Sequence, residues 1–269
     1  MIKKWVTRLI LFLGLILLWY PMINGIVQRQ HQQDAVSTYK SSVQGMDQNK
    51  ELEKAQEYNN MLYQSGGAVV DNMDTGILSD DSYNSILGVT DGIMGSIEIP
   101  KIDVELPIYH GTSDEVLEIG VGHLQGTSLP IGGENTHSVL TGHRGLPGAQ
   151  LFTRLDELNI GDLVFLNVAG EVLAYKAVQI ETVLPSEVDS LVIQDGKDLL
   201  SLVTCTPYGL NTHRLIVTCE RVDYEQAEYE SIEPTIPSIR ELIFAVLPVL
   251  VILAGLIYKI IDWRKNRYV

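Results

Sequence analysis

Cysteine, histidine and arginine occur in two short motifs whose spacing suits nucleophilic catalysis. Cys205 ends an apolar run, and the Pro and Gly that follow it predict a turn, so we expect the thiol at an accessible rim. Arg214 opens the next apolar run, and a tight return of the chain would bring its guanidinium close to that thiol. His143 lies in a separate Thr-Gly-His-Arg-Gly motif.

These residue types are the ones that acyl transfer through a thiol requires. A neighbouring cation or imidazole favours the thiolate, and a histidine can protonate a leaving amine. An arginine can hold a substrate carbonyl or the oxyanion that develops on it. Taken singly, a strand cysteine, a histidine beside glycine and an arginine at a strand start more often have structural roles. Their combination beside two loops bounded by Gly or Pro favours a catalytic site.

The chain has 2 cysteines, and the second is Cys219. Outside a cell, a Cys205–Cys219 disulfide is the one bridge that these residues could form. Such a bridge would consume the predicted nucleophile. We therefore predict that Cys219 is a buried free thiol.

Short apolar runs that end at Gly, Pro, Asn or Asp supply the elements that must position these residues. The runs begin after residue 92 and predict strands over 93–99, 104–109, 138–141, 163–168, 172–184, 200–205 and 214–222. Ala169 and Gly170 are predicted to form a hairpin turn. Short strands without long helices between them favour a β-barrel or a β-sandwich.

The region before the strands has a different pattern. Residues 28–64 are polar, with apolar side chains at steps of three and four, which predicts two helices broken near Gly45. The apolar stripe could lie on the domain behind it, or the segment could be a solvated stalk. Residues 65–92 are rich in Gly, Asp and Ser and predict a mobile connection.

Two uncharged runs predict membrane spans near the ends of the sequence. Residues 9–27 follow three basic residues and are long enough to cross a bilayer as a helix. A cleaved signal peptide shares this pattern, but no small-residue cleavage site follows, so a retained anchor is favoured. Residues 242–258 show no polar face and predict a second span. The positive-inside rule then predicts that 1–8 and 259–269 are cytoplasmic and that the residues between the spans lie outside the cell.

The composition excludes several classes of protein. A hydrophobic share of 45% is too high for a disordered chain, and 2 cysteines are too few for a disulfide scaffold. The net charge is −15, and affinity for a polyanion depends on Lys and Arg, so no nucleic-acid partner is expected. The other histidines lack the helical spacing of a zinc site, and we expect no metal.

Residues 92–223 resemble the sortase family, and most of all its class C, pilin-polymerising branch. The resemblance rests on Leu-x-Thr-Cys at 202–205 followed by Arg214, and on Thr-Gly-His-Arg-Gly at 141–145. It implies a mainly β fold, a closed eight-stranded barrel with short helices over 93–230. A helical stalk with a possible lid would precede the barrel over 28–92, and a linker over 231–241 would follow it. Two membrane spans around one outer domain also fit class C.

The resemblance implies a cysteine transpeptidase that needs no cofactor. Cys205 would be the nucleophile, His143 the general acid and base, and Arg214 and Thr204 would bind the substrate. The enzyme would cut an LPxTG-like sorting signal between Thr and Gly and join the product to a Lys amine of a pilin subunit. It would be held by two spans in the membrane of a Gram-positive-type bacterium. The alternatives are a sortase that attaches surface proteins to the cell wall, and a non-catalytic barrel that binds pilins as a scaffold.

Many class C sortases carry a lid with an Asp-Pro-aromatic motif over the site. The nearest match in this chain is Asp81-Ser82-Tyr83, with Ser in the place of Pro. We predict either a lid that uses Asp81 and Tyr83 or a lid that is reduced or absent.

Overall fold

The computed structural model describes residues 2–66, 81–90, 92–146, 148–234 and 239–265. Two compact units divide the chain: residues 28–235 form one, and residues 1–27 and 236–269 form the other.

Eight strands close into a single barrel within the 28–235 unit. Around the barrel the order is β1-β2-β3-β4-β7-β8-β6-β5, in which the β2–β3 and β4–β7 pairs are parallel and the others antiparallel. The strands are β1 Ile93–Ile99, β2 Val104–His110, β3 Val121–His123, β4 Thr136–Thr141, β5 Leu163–Val168, β6 Glu171–Val183, β7 Asp198–Thr206 and β8 His213–Val222.

The strand predictions are confirmed with small changes of boundary. The runs at 93–99 and 163–168 match β1 and β5 end to end, whereas β4 begins two residues before its predicted start. Ala169 and Gly170 both have positive φ, as the predicted two-residue hairpin turn requires. The apolar runs did not predict β3, because a strand of three residues is too short to show alternation.

Alternating apolar side chains of the strands form the core of the barrel. Along β7, for example, Leu200 and Leu202 are fully buried in the main core cluster. Val203, the next residue along the strand, belongs to a second cluster. Cys219 is also fully buried in the main cluster, and it is a free thiol as predicted. Burial raises the pKa of Cys219 to about 12, so this thiol is inert at neutral pH.

The helices before the barrel are α1 Ile2–Val43 and α2 Gln48–Gln64, with the predicted break near Gly45. The stripe side chains Val36, Tyr39 and Val43 are buried. The Tyr39 hydroxyl donates to the carbonyl of Met94 in β1 at 3.1 Å and accepts from the amide of Ala169 at 2.9 Å. The stripe therefore lies on the barrel, and the solvated-stalk interpretation is wrong.

The remaining helices are short, apart from the last. They are α3 Asp81–Ser85, α4 Asp114–Ile119, α5 Gln226–Glu230 and α6 Ile239–Lys265. In the part of the chain that the structure describes, no helix has both the length and the apolar character of a membrane span. The two spans predicted for 9–27 and 242–258 are therefore unconfirmed.

Candidate active site

The register of β7 and β8 puts Cys205 directly opposite Arg214, as the predicted tight return requires. Residues opposite each other in an antiparallel pair have Cα atoms roughly 4.5–5.5 Å apart. Cys205 is half-buried, and Arg214 is 9% exposed. The pair lies at the rim where β7 ends and β8 begins, so a substrate can approach the thiol from outside the barrel.

Arg214 is held by the loop that joins the two strands. One of its guanidinium nitrogens, Nη1, donates to the carbonyl of Asn211 at 3.2 Å and to that of His213 at 3.0 Å. Asn211 has a φ of +57°, a left-handed conformation that lets the loop curl back toward the guanidinium. The loop therefore fixes the cation beside the end of β7 that carries Cys205.

The parallel pairing of β4 with β7 brings the His143 loop to the same rim. Thr141 pairs with Val203, so the chain that leaves β4 runs beside Thr204 and Cys205. The amide of Gly142 donates to the carbonyl of Val203 at 3.1 Å and extends the ladder by one bond. His143 is the next residue, so the structure brings its loop alongside the strand end that bears the thiol.

Phe152 supports this loop from behind. Its amide donates to the carbonyl of His143 at 3.1 Å, and its ring lies against Gly142. A Cβ atom at position 142 would stand 2.7 Å from the ring. Glycine therefore permits the close approach that places the ring under the loop.

Two side chains cross between the Cys205 strand and the His143 loop. The hydroxyl of Thr204 donates to the carbonyl of Gly142 at 2.7 Å, and Thr204 is 1% exposed. The guanidinium of Arg144 donates through Nη1 to the hydroxyl of Thr206 at 3.1 Å and through Nη2 to a carboxylate oxygen of Asp156. The sequence predicted substrate binding by Thr204, and it did not single out Arg144. The hydrogen bond to Gly142 shows that Thr204 joins β7 to the His143 loop. Its role in substrate binding stays a prediction.

The imidazole of His143 is half-buried and has no hydrogen-bond partner among the described residues. Burial lowers its pKa below the ordinary value, while the carboxylates of Asp114 and Glu118 act in the opposite direction. Because burial is the larger influence, the imidazole is mainly neutral near pH 7. A neutral imidazole can accept a proton from a thiol or from an amine.

Tyr83 lies where β2 and β3 finish, and its contacts are with residues of that region. Its ring is fully buried, and its hydroxyl is 2.8 Å from Nδ1 of His123 and accepts from the amide of Gly111 at 3.2 Å. The structure thus does not bring Tyr83 to Cys205. The side chain of Asp81 lies outside the described residues, so a lid that uses Asp81 and Tyr83 stays a prediction.

Similarity to known proteins was found over the barrel. Residues 97–222 match the model of the sortase domain family. Sortase D of Bacillus subtilis strain 168 is 37% identical over 131 residues, which are 48% of this chain and 63% of that protein. This chain therefore spans under two thirds of the length of that curated relative.

Solved structures give a similar result. The crystal structure of sortase C1 from Streptococcus agalactiae superposes with a TM-score of 0.66 at 45% identity and covers 71% of this chain and 100% of that one. Sortase C of Streptococcus pneumoniae, whose structure bears on catalysis and pilin substrate specificity, gives a TM-score of 0.65 at 40% identity over 71% of this chain and 97% of that one.

Proposed function

This chain belongs to the sortase family, and from that premise we propose that it is a cysteine transpeptidase of the class C type that joins pilin subunits. One observation carries the proposal: Cys205 and Arg214 face each other across two strands, and the loop that bears His143 lies beside them. The likeness to two streptococcal class C sortases at 45% and 40% identity supports the choice of branch.

The first half of the reaction forms a thioester. The thiol of Cys205 gives its proton to the neutral imidazole of His143, and the sulfur attacks the Thr carbonyl carbon of an LPxTG-like sorting signal. The guanidinium of Arg214 donates to the oxyanion that develops on the carbonyl oxygen. The Thr–Gly bond then breaks, and the imidazolium returns its proton to the leaving Gly amine.

The second half transfers the acyl group to an amine. A Lys amine of the next pilin subunit attacks the thioester carbonyl, and His143 takes the proton that the amine loses. The carbon–sulfur bond breaks and releases the Cys205 thiolate, which takes the proton back from His143. The product is an isopeptide bond, and the enzyme returns to its starting state.

We propose that the enzyme acts at the surface of a Gram-positive-type cell, held there by residues 9–27 and 242–258. The uncharged runs and the basic residues that flank them support this arrangement. Substrates with membrane-held tails would then meet the enzyme at the same surface. The measurement is protease digestion of intact protoplasts: loss of the barrel with protection of residues 259–269 is expected, and a fully protected barrel contradicts the orientation.

The activity is tested with the full chain in detergent and a fluorescent LPxTG peptide. We expect an acyl adduct on Cys205 by mass spectrometry, no adduct in Cys205→Ala, and about 10²–10³-fold slower turnover in Arg214→Ala. Cys219→Ala is the matched control, because this thiol is buried in the core and should leave turnover unchanged.

The acceptor is tested by adding a candidate pilin with the same sorting signal. A covalent ladder supports pilin polymerisation, whereas transfer only to a cell-wall precursor amine indicates wall attachment. An accessible, unoxidised Cys205 that never forms an adduct contradicts the enzyme and favours the scaffold.

A further inference from the structure

The two residues that flank Cys205 are hydrogen-bonded to the two residues that flank His143. On one side, the hydroxyl of Thr204 donates to the carbonyl of Gly142 at 2.7 Å. This bond lies next to the last bond of the β4–β7 ladder, so it continues the pairing of the two strands.

On the other side, the described residues form no backbone ladder that would support the bond. Nη1 of Arg144 donates to the hydroxyl of Thr206 at 3.1 Å, and Nη2 donates to Asp156. We propose that Arg144 is a positioning residue: it holds the residue after Cys205 to the residue after His143 and thereby sets the position of the imidazole relative to the thiol. The inference rests on the proposed function of those two residues.

The imidazole needs such support because it makes no hydrogen bond of its own among the described residues. Its orientation must therefore come from the backbone on either side of it. Before His143, the ladder and Thr204 supply that support. After it, Arg144 is the side chain that reaches the end of β7.

The next residues of the two segments also meet. Gly145 has a φ of +81°, and a Cβ atom there would stand 2.8 Å from the ring of Tyr208. Tyr208 follows Cys205 in the β7–β8 loop and lies against the backbone just beyond Arg144. Residues 142–145 and 204–208 therefore contact each other along their length, and the contact of Arg144 with Thr206 lies in the middle.

Comparison with Arg154, in the same β4–β5 connection, separates this role from ordinary stabilisation. The side chain of Arg154 is 5% exposed, and its Nε and Nη2 both donate to Glu157, at 3.1 and 2.7 Å. The side chain of Arg144 is 4% exposed, but its Nε is buried without a hydrogen-bond partner in the described structure. A buried cation with an unpaired N–H adds little to the stability of the fold, because its hydrogen bonds offset only part of the free energy lost when it leaves water. The hydrogen bond from Arg144 to Thr206 gives this arginine a role other than stability.

The test uses the full chain in detergent and measures kcat and KM with an LPxTG peptide. Arg144→Ala and Thr206→Val should each lower kcat about 10–100-fold with KM within about two-fold, since the chemistry depends on placement of the reacting groups. The double variant should be no slower than the slower single one, because both remove the same bond. Thr206→Ser keeps the hydroxyl and should restore most of the rate.

Arg154→Ala is the matched control, because it removes an equally buried arginine of the same connection whose guanidinium donates to Glu157 and to the carbonyl of Ile102. Its kcat per folded molecule should stay near that of the unmodified chain. If Arg144→Ala is no slower than Arg154→Ala, the proposal is overturned. Thr206→Val carries the test if Arg144→Ala fails to fold.

A second readout does not depend on turnover. The rate of Cys205 alkylation by iodoacetamide is followed against pH, and release of His143 should shift the midpoint in Arg144→Ala and leave it unchanged in Arg154→Ala. A midpoint shift without peptide turnover in any form of the chain supports the positioning role and contradicts the transpeptidase. If peptide turnover is absent and Arg144→Ala and Arg154→Ala have the same midpoint, the positioning role fails as well.

Discussion

Two histidines of the barrel, His123 and His143, show how the surroundings decide whether both nitrogens of an imidazole are occupied by hydrogen bonds. His123, at the end where β3 finishes, is fully buried, and both ring nitrogens are bonded. Nε2 must donate to the carbonyl of Ser128, 2.8 Å away, so Nδ1 is left to accept from the hydroxyl of Tyr83. His143, at the end where β7 finishes, is half-buried and forms no hydrogen bond among the described residues.

The difference lies in the hydrogen bonds more than in the charge. Burial lowers the pKa of His123 to about 4 and also lowers that of His143, so both imidazoles are mainly neutral near pH 7. Of these two histidines, His143 is the one whose nitrogen lone pair is used by no neighbour among the described residues. Availability of that lone pair, rather than a perturbed pKa, marks the histidine that can transfer protons.

The largest expected effect is on the rate of peptide cleavage. His143→Ala should lower kcat for peptide cleavage about 10³-fold, the usual contribution of a general acid and base, and leave the unfolding midpoint nearly unchanged. Steady-state kinetics and thermal unfolding of the full chain measure the two quantities. A variant that keeps its rate would remove the distinction between the two histidines.

The next effect is on the stability that the contacts of His123 provide. His123→Ala should lower the free energy of unfolding by about 3–5 kcal/mol, because it opens a cavity and leaves Tyr83 and Ser128 without their partner. The folded fraction should keep its kcat. Denaturant unfolding and kinetics at low temperature measure both, and a slower but equally stable variant would contradict the structural role.

Acidification should reproduce part of that effect in the unmodified chain. The folded pKa of His123, about 4, lies below the ordinary value of 6.5, so unfolding takes up a proton between these values. The stability is therefore complete above pH 6.5 and is lost as the pH falls toward 4, by on the order of 2–3 kcal/mol from this group. Urea unfolding at pH 7.5 and 4.5 measures the loss. The loss should be smaller in His123→Gln, and an equal loss would assign the acid sensitivity to other groups.

The smallest effect concerns the carboxylates that face His143. Asp114→Asn with Glu118→Gln removes the charges that raise the pKa of His143, so the acidic limb of kcat/KM should move to lower pH. Both carboxylates are exposed, so the shift should disappear in high salt. Glu115→Gln, on the same helix, is the control that should not move the limb. A shift toward higher pH would contradict the sign.

The sequence predicted the strands better than it predicted the contacts between them. Alternation and turn residues located β1 and β5 end to end, because these strands are long enough to display the pattern. The three residues of β3 carry no such pattern, and the number of eight strands came from the family resemblance. The approach of Cys205 to Arg214 was predictable, since a short loop joins their strands.

The parts of the site that escaped prediction depend on distant partners. Nothing around Arg144 in the sequence indicates Thr206, which lies 62 residues away and meets it only through the β4–β7 pairing. A local motif predicts Tyr83 as a lid residue, whereas its hydroxyl contacts His123 and Gly111, where β2 and β3 finish. Pairing between distant parts of the chain decides where Arg144 and Tyr83 lie, and a local sequence pattern cannot predict that pairing.

The same pairing has a consequence for how the protein folds. The bonds that join residues 142 and 144 to residues 204 and 206 close a segment of 62 residues, and the chain loses conformational entropy before those bonds form. Parallel strands with such sequence separation pair slowly. A nascent chain that has formed only its local hairpins therefore carries the thiol without its imidazole, and catalytic competence appears only when the barrel closes.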